Sequence, residues 1–184
     1  MSRQFWAELI AWATADGTAV NTTTTETIVF PNVTIPANYM QDGRVIRLTA
    51  RGRWGATATP TYTWAIRWGG VSGTVLASSG VATVSAQTAA QWRAEAILQT
   101  RANGSSGTIF CQGNVLMGTA TAPTFGTVTN YGVEIMMGSA GIATPAAVTV
   151  DLTADTALSF TIDFSASDAA NAVTGHLYLL ESLN

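Results

Sequence analysis

The sequence predicts an all-β fold, an antiparallel β-sandwich or jelly roll of about eight to ten strands with a short N-terminal arm. First, short segments that alternate apolar and polar residues recur along the 184-residue chain, and glycine, proline, asparagine and aspartate separate them. Second, threonine is abundant, and β-branched side chains fit a pleated surface better than a helix. Third, 47% of the residues are hydrophobic and only 10% are charged, which excludes a disordered chain.

The first half of the chain supplies the clearest alternation. Strands are predicted at 25–30 and 32–36, where Pro31 and Pro36 end them because proline cannot donate to a sheet. After the turn at 41–43, one strand carries one apolar and one arginine-rich side. The next strand, 61–68, repeats the pattern. The predicted inward residues of these two strands are Ile46, Leu48, Ala50 and Trp54, followed by Tyr62, Trp64, Ile66 and Trp68.

The second half continues the series. Strands are predicted at 73–78 and 81–86, and a helix is an alternative over 89–98 because Ala, Glu and Arg favour helices. The strict alternation of that segment and the "NGSSG" turn after it favour a strand. Five further strands follow, within 107–118, 127–138, 146–152, 157–166 and 173–183. Long connections at 37–43 and 118–127 favour a jelly-roll path over a simple meander.

No linker divides the chain, so the organisation predicted is an N-terminal arm over 1–16 and a single domain over 17–184. The N-terminal segment has too little positive charge for a signal peptide and is too short to span a bilayer. A single cysteine excludes an intrachain disulfide. The chain is therefore expected to fold in a reducing cytoplasm, with no membrane partner.

Catalytic and metal-binding patterns are weak. Cys111 lies in a strand-like run and is expected in the core, and the single histidine, His176, lacks the partners of a triad or a zinc site. Calcium stays open at four aspartates that match no EF-hand spacing: Asp151, Asp155, Asp163 and Asp168. The carboxylate pairs Asp151/Asp155 and Glu134/Asp163 leave a glycosidase as a weak alternative. We expect no enzyme and no cofactor.

Two features favour a binding surface. Every basic residue is arginine, and five of them are predicted to share a sheet face that suits an acidic protein surface, namely Arg47, Arg51, Arg53, Arg67 and Arg93. The net charge of −3 and the absence of lysine argue against nucleic acid. The second feature is an apolar N-terminal stretch, either a leading strand or an arm onto a neighbour, with Phe5, Trp6, Leu9, Ile10 and Trp12 as candidate contacts.

Five stretches of 21–183 share a pattern of turns and strand edges, namely "TTTTETIVF", "IPAN", "GRVIR", "RWGGVSGT" and the closing "VTGHLYLLESL". This pattern resembles jelly-roll modules of tailed bacteriophages, those of capsid decoration (cement) proteins and fibre heads. It is strongest at "IPAN" (35–38) and "GGVSGT" (69–74), and it does not cover 1–16.

The resemblance implies a non-enzymatic virion protein that binds the major capsid protein on the head surface as a homotrimer, after assembly in the bacterial cytoplasm. The alternative is a tail-fibre or head-fibre module that recognises host surface glycans. In that case exposed tryptophans stack on sugar rings, with Trp54, Trp68 and Trp92 as candidates, although their alternation places them in the core.

Overall fold

The computed structural model describes residues 7–57, 59–119, 132–139 and 145–184. These residues form an all-β antiparallel sandwich, as the alternation predicts. Nine strands have five or more residues, within the expected number, and four more have two or three. The strands are β1 (Glu8–Trp12), β2 (Thr27–Ile28), β3 (Val33–Ile35), β4 (Val45–Ala56), β5 (Thr61–Trp68), β6 (Thr74–Ser78), β7 (Ala82–Thr83), β8 (Gln87–Ala102), β9 (Gly107–Met117), β10 (Val133–Gly138), β11 (Val148–Val150), β12 (Thr156–Phe164) and β13 (Ala172–Ser182).

The strands belong to one hydrogen-bonded sheet that folds over into two layers. Its order is β1-β13-β4-β8-β9-β10-β6-β5-β12-β2, while β11 pairs with β9, β3 with β12 and β7 with β5. A single residue pair, Gly138 with Ser78, joins β10 to β6. We call the sheet from β1 to β10 the first layer and the sheet from β6 to β2 the second layer. The sheet does not close on itself, so β1 and β2 border an open seam.

Aromatic rings fill the space between the layers. The ring centroids of Trp64 in β5 and Trp92 in β8 lie 4.9 Å apart, and Phe160 in β12 stacks on Trp64 at 5.4 Å. Such contacts between rings add to the free energy gained by burying their area. The predicted inward residues of β4 and β5 are all buried. The alternative of a helix over 89–98 is wrong, because this segment lies inside the 16-residue strand β8, whose exposure alternates residue by residue.

Two predicted strands are much shorter than expected. Only Thr27–Ile28 of 25–30 pairs as a strand. The threonines before it bond locally instead: the amide of Thr25 donates to Oγ1 of Thr23, and Oγ1 of Thr27 donates to the carbonyl of Thr25. Hydroxyl groups that bond their own backbone compete with sheet pairing. Within 81–86, only Ala82–Thr83 pairs, as β7.

No helix in the described ranges is long and apolar enough to cross a membrane.

Gly52 is the tightest point of the first layer. A Cβ atom there would lie 1.9 Å from the carbonyl oxygen of Thr174 and 2.8 Å from Nε1 of Trp92. Neither the backbone of β13 nor the enclosed indole has space to move away. Position 52 faces inward by the alternation of β4, and the close contacts there leave space only for glycine.

We therefore predict that Gly52→Ala lowers the free energy of unfolding by about 3 kcal/mol or more, as overpacked core positions do. Urea unfolding followed by tryptophan fluorescence measures the change. Arg51→Ala, which shortens an exposed side chain on the same strand, serves as the control and should not lower the midpoint. A wild-type midpoint for Gly52→Ala would contradict the packing described here.

Candidate functional site: the outer face of the first layer

Strand pairing assembles the outward side chains of the first layer into one face, which we call the outer face. One row across the sheet runs Leu177, Arg51, Arg93, Leu116, Glu134. The next row runs Trp12, Leu179, Thr49, Glu95, Asn114, Met136. A third runs Leu9, Glu181, Arg47, Ile97, Gln112. The outer face thus mixes cationic, apolar and polar side chains on a broad sheet.

Three arginines of the outer face carry uncompensated charge, and we call Arg51, Arg53 and Arg93 the arginine cluster. Arg51 lies directly opposite Arg93, and Arg53 lies opposite Gln91. All three side chains are exposed, and within the described residues none of them forms a hydrogen bond or an ion pair. Like charges directly opposite one another destabilise a sheet. The fold therefore holds together charges that repel.

The core beneath the arginine cluster fixes its backbone. Nε1 of Trp92 donates to the carbonyl oxygen of Arg53 at 3.1 Å and to that of Thr174 at 3.3 Å. Nε1 of Trp54 donates to the carbonyl oxygen of Gly118 at 3.2 Å. The missing side chain of Gly52 leaves the space that the Trp92 indole fills. The "RGRW" segment therefore presents two arginines on a backbone that buried indoles hold in place.

Exposed apolar side chains share the outer face with the arginine cluster. Among the described residues, seven large hydrophobic side chains are exposed, and five of them lie on the outer face. The other two are Val81, in the turn before β7, and Val133, at the start of β10. Most of the exposed large hydrophobic side chains therefore lie on one face of the sandwich. The five are Leu9, Trp12, Ile97, Met136 and Leu177, each 40% to 56% exposed.

The structure separates the predicted arginines into two groups. Arg47 shares the outer face, but its Nη2 lies 2.8 Å from Oε2 of Glu181, so its charge is compensated. Arg67 was expected on a neighbouring strand, and this is wrong. Its strand, β5, pairs with β12, β6 and β7 in the second layer. There Arg67 forms an ion pair with Glu26. Alternation predicts which way a side chain faces but not which strands are neighbours.

The candidate N-terminal contacts also divide. Phe5 and Trp6 lie outside the described residues. Leu9 and Trp12 are exposed on β1, which pairs with β13 at the edge of the first layer. Ile10 occupies the register shift between Leu9 and Ala11 and packs against the core. The described part of 1–16 therefore contains an edge strand, the structural alternative left open by the sequence.

The aspartates considered for calcium mostly have local structural roles. Oδ1 of Asp151 accepts hydrogen bonds from the amide and hydroxyl of Thr153, which lower the pKa of Asp151. Asp155 accepts from the amide of Ala37, and Asp168 from that of Ala170. Within the described ranges, no three potential metal ligands come together. Glu134 and Asp163, considered as a catalytic pair, lie on opposite layers.

Asp163 belongs to a polar cluster on the second layer. Burial and, second, the negative charge of Glu26 raise the pKa of Asp163. Burial also opposes the ionisation of Glu26, but hydrogen bonds from Arg67 and Thr161 and the charge of Arg67 outweigh it, so the pKa of Glu26 is lowered. The hydrogen bonds that Arg67 and Thr161 donate to Glu26 stabilise the packing of the threonine-rich segment on β12 and β5.

A groove of about 740 Å³ follows the open seam between residues 11–18 and 28–34. Tyr178 and Phe30, stacked at 5.0 Å, lie along it. Nδ1 of His176 lies 2.8 Å from Oδ1 of Asp16, and this contact holds the first of these segments on β13. Trp12, 56% exposed, is the described tryptophan that remains available to a ligand.

The other candidate ligand-binding and reactive groups are buried. Trp54, Trp68 and Trp92 are all in the core, and each indole donates to a backbone carbonyl oxygen. Cys111 is also buried in the core, where burial raises the pKa of its thiol to about 12.

No family model, curated protein or solved structure matches this chain.

The repulsion between Arg51 and Arg93 predicts how two charge-removing variants change the free energy of unfolding. Arg93→Gln should raise the free energy of unfolding by roughly 0.2–1 kcal/mol, because it removes a directly opposed like charge. Arg47→Gln, on the same strand as Arg51, is the matched control and should lower it by about 0–1 kcal/mol, because it removes a surface ion pair. Urea unfolding at low salt measures both. Equal losses of stability in the two variants would contradict an uncompensated cluster.

The polar cluster of the second layer predicts how the melting temperatures of two variants depend on pH. Because the folded-state pKa of Asp163 is raised, the protonated carboxyl favours the folded state and the ionised carboxylate opposes it. The stability that protonation gives is therefore lost as the pH rises through that pKa. Asp163→Asn should therefore melt above the wild type at pH 7, and the difference should shrink in acid.

Glu26→Gln should behave in the opposite way. The lowered pKa of Glu26 stabilises the fold above the unfolded-state value, so this variant should melt below the wild type at pH 7. Thermal unfolding followed by circular dichroism over a pH series measures both variants. A melting temperature of Asp163→Asn that stays at or below that of the wild type at every pH would show the sign to be wrong.

Proposed function

We propose that this chain is a non-enzymatic structural protein of a bacteriophage virion, a capsid decoration protein. In this proposal it binds the lattice of major capsid protein on the head surface as a homotrimer and stiffens the head. The observation that carries the proposal is the outer face, which gathers five exposed apolar side chains and three uncompensated arginines on one sheet.

The composition of the outer face suits a protein partner. Protein interfaces are enriched in aromatic residues, Met and Arg. The outer face has Trp12 near one edge, Met136 near the other and arginines between them. The apolar side chains supply area to bury, and the arginines select a partner surface of opposite charge. Closed three-fold symmetry would cover part of the apolar surface and limit growth of the assembly.

The polar groups considered for catalysis or for calcium support a non-enzymatic role. Asp151, Asp155 and Asp168 stabilise turns and loop contacts. His176 ties the N-terminal segment to β13. Each of these side chains thus has a structural task.

A fibre-head module that binds host glycans is the second candidate, and one observation favours it. Trp12 is exposed and lines the seam groove together with Thr14, Thr18 and Asn32. An aromatic ring beside hydroxyl and amide groups suits a sugar. Binding of soluble host polysaccharide that is lost in Trp12→Ala would favour this candidate over decoration.

The test of decoration is co-sedimentation of the purified chain with empty heads of the phage that encodes it. Ile97→Glu replaces one of the exposed apolar side chains of the outer face with a charge and should abolish sedimentation with heads. Val81→Glu makes the same kind of change at an exposed aliphatic residue in the turn before β7 and should bind like the wild type.

Circular dichroism of both variants checks that each is folded, and analytical ultracentrifugation should give three times the 19.2 kDa chain mass. Absence of wild-type sedimentation would contradict decoration, and full binding by Ile97→Glu would contradict the outer face as the interface.

A further inference from the structure

A cleft adjoins the arginine cluster at one end of the first layer. It has a volume of about 320 Å³, and its lining includes Arg53, Asn21, Thr88, Ala89 and Thr174. Arg53 therefore belongs both to the cluster and to the wall of the cleft. The amide of Asn21 and the hydroxyl of Thr88 add hydrogen-bonding groups beside the guanidinium.

The backbone of the cleft wall is held in an unusual conformation. Ala89 has a φ of 53°, in the left-handed region that residues with a Cβ seldom adopt. Strain of this kind persists where the surrounding structure imposes it, and it concentrates at binding sites. Here it lies at the register shift of β4 against β8, three residues before Trp92. The same strand thus forms the cleft wall and the support of the arginine cluster.

Nearby carboxylates do not compensate the cluster. Glu181 is paired with Arg47, and Glu134 accepts a hydrogen bond from Asn114. Glu95 lies two residues from Arg93 and opposite Thr49, and no ion pair joins it to any of the three arginines within the described ranges. The site therefore has an excess of positive charge on a chain of net charge −3.

We infer that the arginine cluster and the adjoining cleft bind an acidic protein segment in extended conformation, with carboxylates at alternate positions. Arg51 and Arg53 are two residues apart on β4, so their side chains leave the sheet about 7 Å apart. An extended peptide repeats its side chains with the same spacing. Two carboxylates at positions i and i+2 can therefore each accept a bidentate pair of hydrogen bonds, while Arg93 attracts the segment from the neighbouring strand.

The surroundings favour a peptide over other polyanions. Leu177 and Leu116 flank Arg51 and Arg93 in the same row and offer apolar contacts to the aliphatic carbons of the bound segment. A nucleic acid would be attracted only weakly, because the chain is acidic, contains no lysine and has few positive charges. If the proposed function holds, the acidic segment belongs to the major capsid protein. Only this assignment of the segment rests on the proposed function.

The experiment measures anisotropy of a fluorescein-labelled peptide with aspartates at alternate positions, titrated with the whole chain at low salt. Arg53→Gln/Arg93→Gln should weaken binding about tenfold or more. Arg44 donates to Oγ of Ser182 and lies over the Tyr39 ring, and Arg101 lies over the Phe110 ring, so both are outside the arginine cluster and the cleft. Arg44→Gln/Arg101→Gln therefore removes the same charge and is the matched control. It should bind within about twofold of the wild type.

A second peptide of equal composition, with its aspartates in one block, should bind more weakly, and single-stranded DNA should compete poorly. Equal affinity for both peptides, or displacement by DNA at the same charge concentration, would overturn recognition of an extended acidic segment. Absence of peptide binding would also overturn it. If heads still sedimented the chain in that case, the proposed function would stand while this inference failed.

Discussion

The insertion of the Trp92 indole into the space above Gly52 is the contact on which the first layer depends. It joins three strands at one point, because the ring belongs to β8 and its Nε1 donates to carbonyl oxygens of β4 and β13. The same ring contacts Trp64 and Phe160 of the second layer. One side chain thus sets the distance between the layers and the backbone position of Arg51 and Arg53 on the surface.

This construction explains how the fold tolerates a costly surface. An open sheet face with opposed arginines and exposed aliphatic side chains has no stabilising role of its own, since like charges repel and apolar groups contact water. The core beneath supplies the stability that this face lacks. Sites selected for binding commonly sacrifice local stability in this way. The cost is a physical reason to regard the outer face as an interface.

Much of the fold was predictable because alternation is local. The burial of Ile46, Leu48 and Trp54 and the exposure of Arg51 and Arg53 follow from period two alone. Strand neighbours were not predictable, because pairing joins residues far apart in sequence. For this reason Arg67 was expected beside Arg51, whereas it lies in the other layer. The glycine at an inward position between two arginines was the available signal for the Trp92 contact. The cleft at Arg53 depends on three separate segments, and no local pattern indicates it.

Immunogold electron microscopy of purified particles, with antibody against the chain, tests whether the outer face docks this chain on the head of a virion. Docking through this face should give label distributed over the head surface. Label confined to the tail or to fibre tips would contradict it and would move attention to Trp12 and the seam groove.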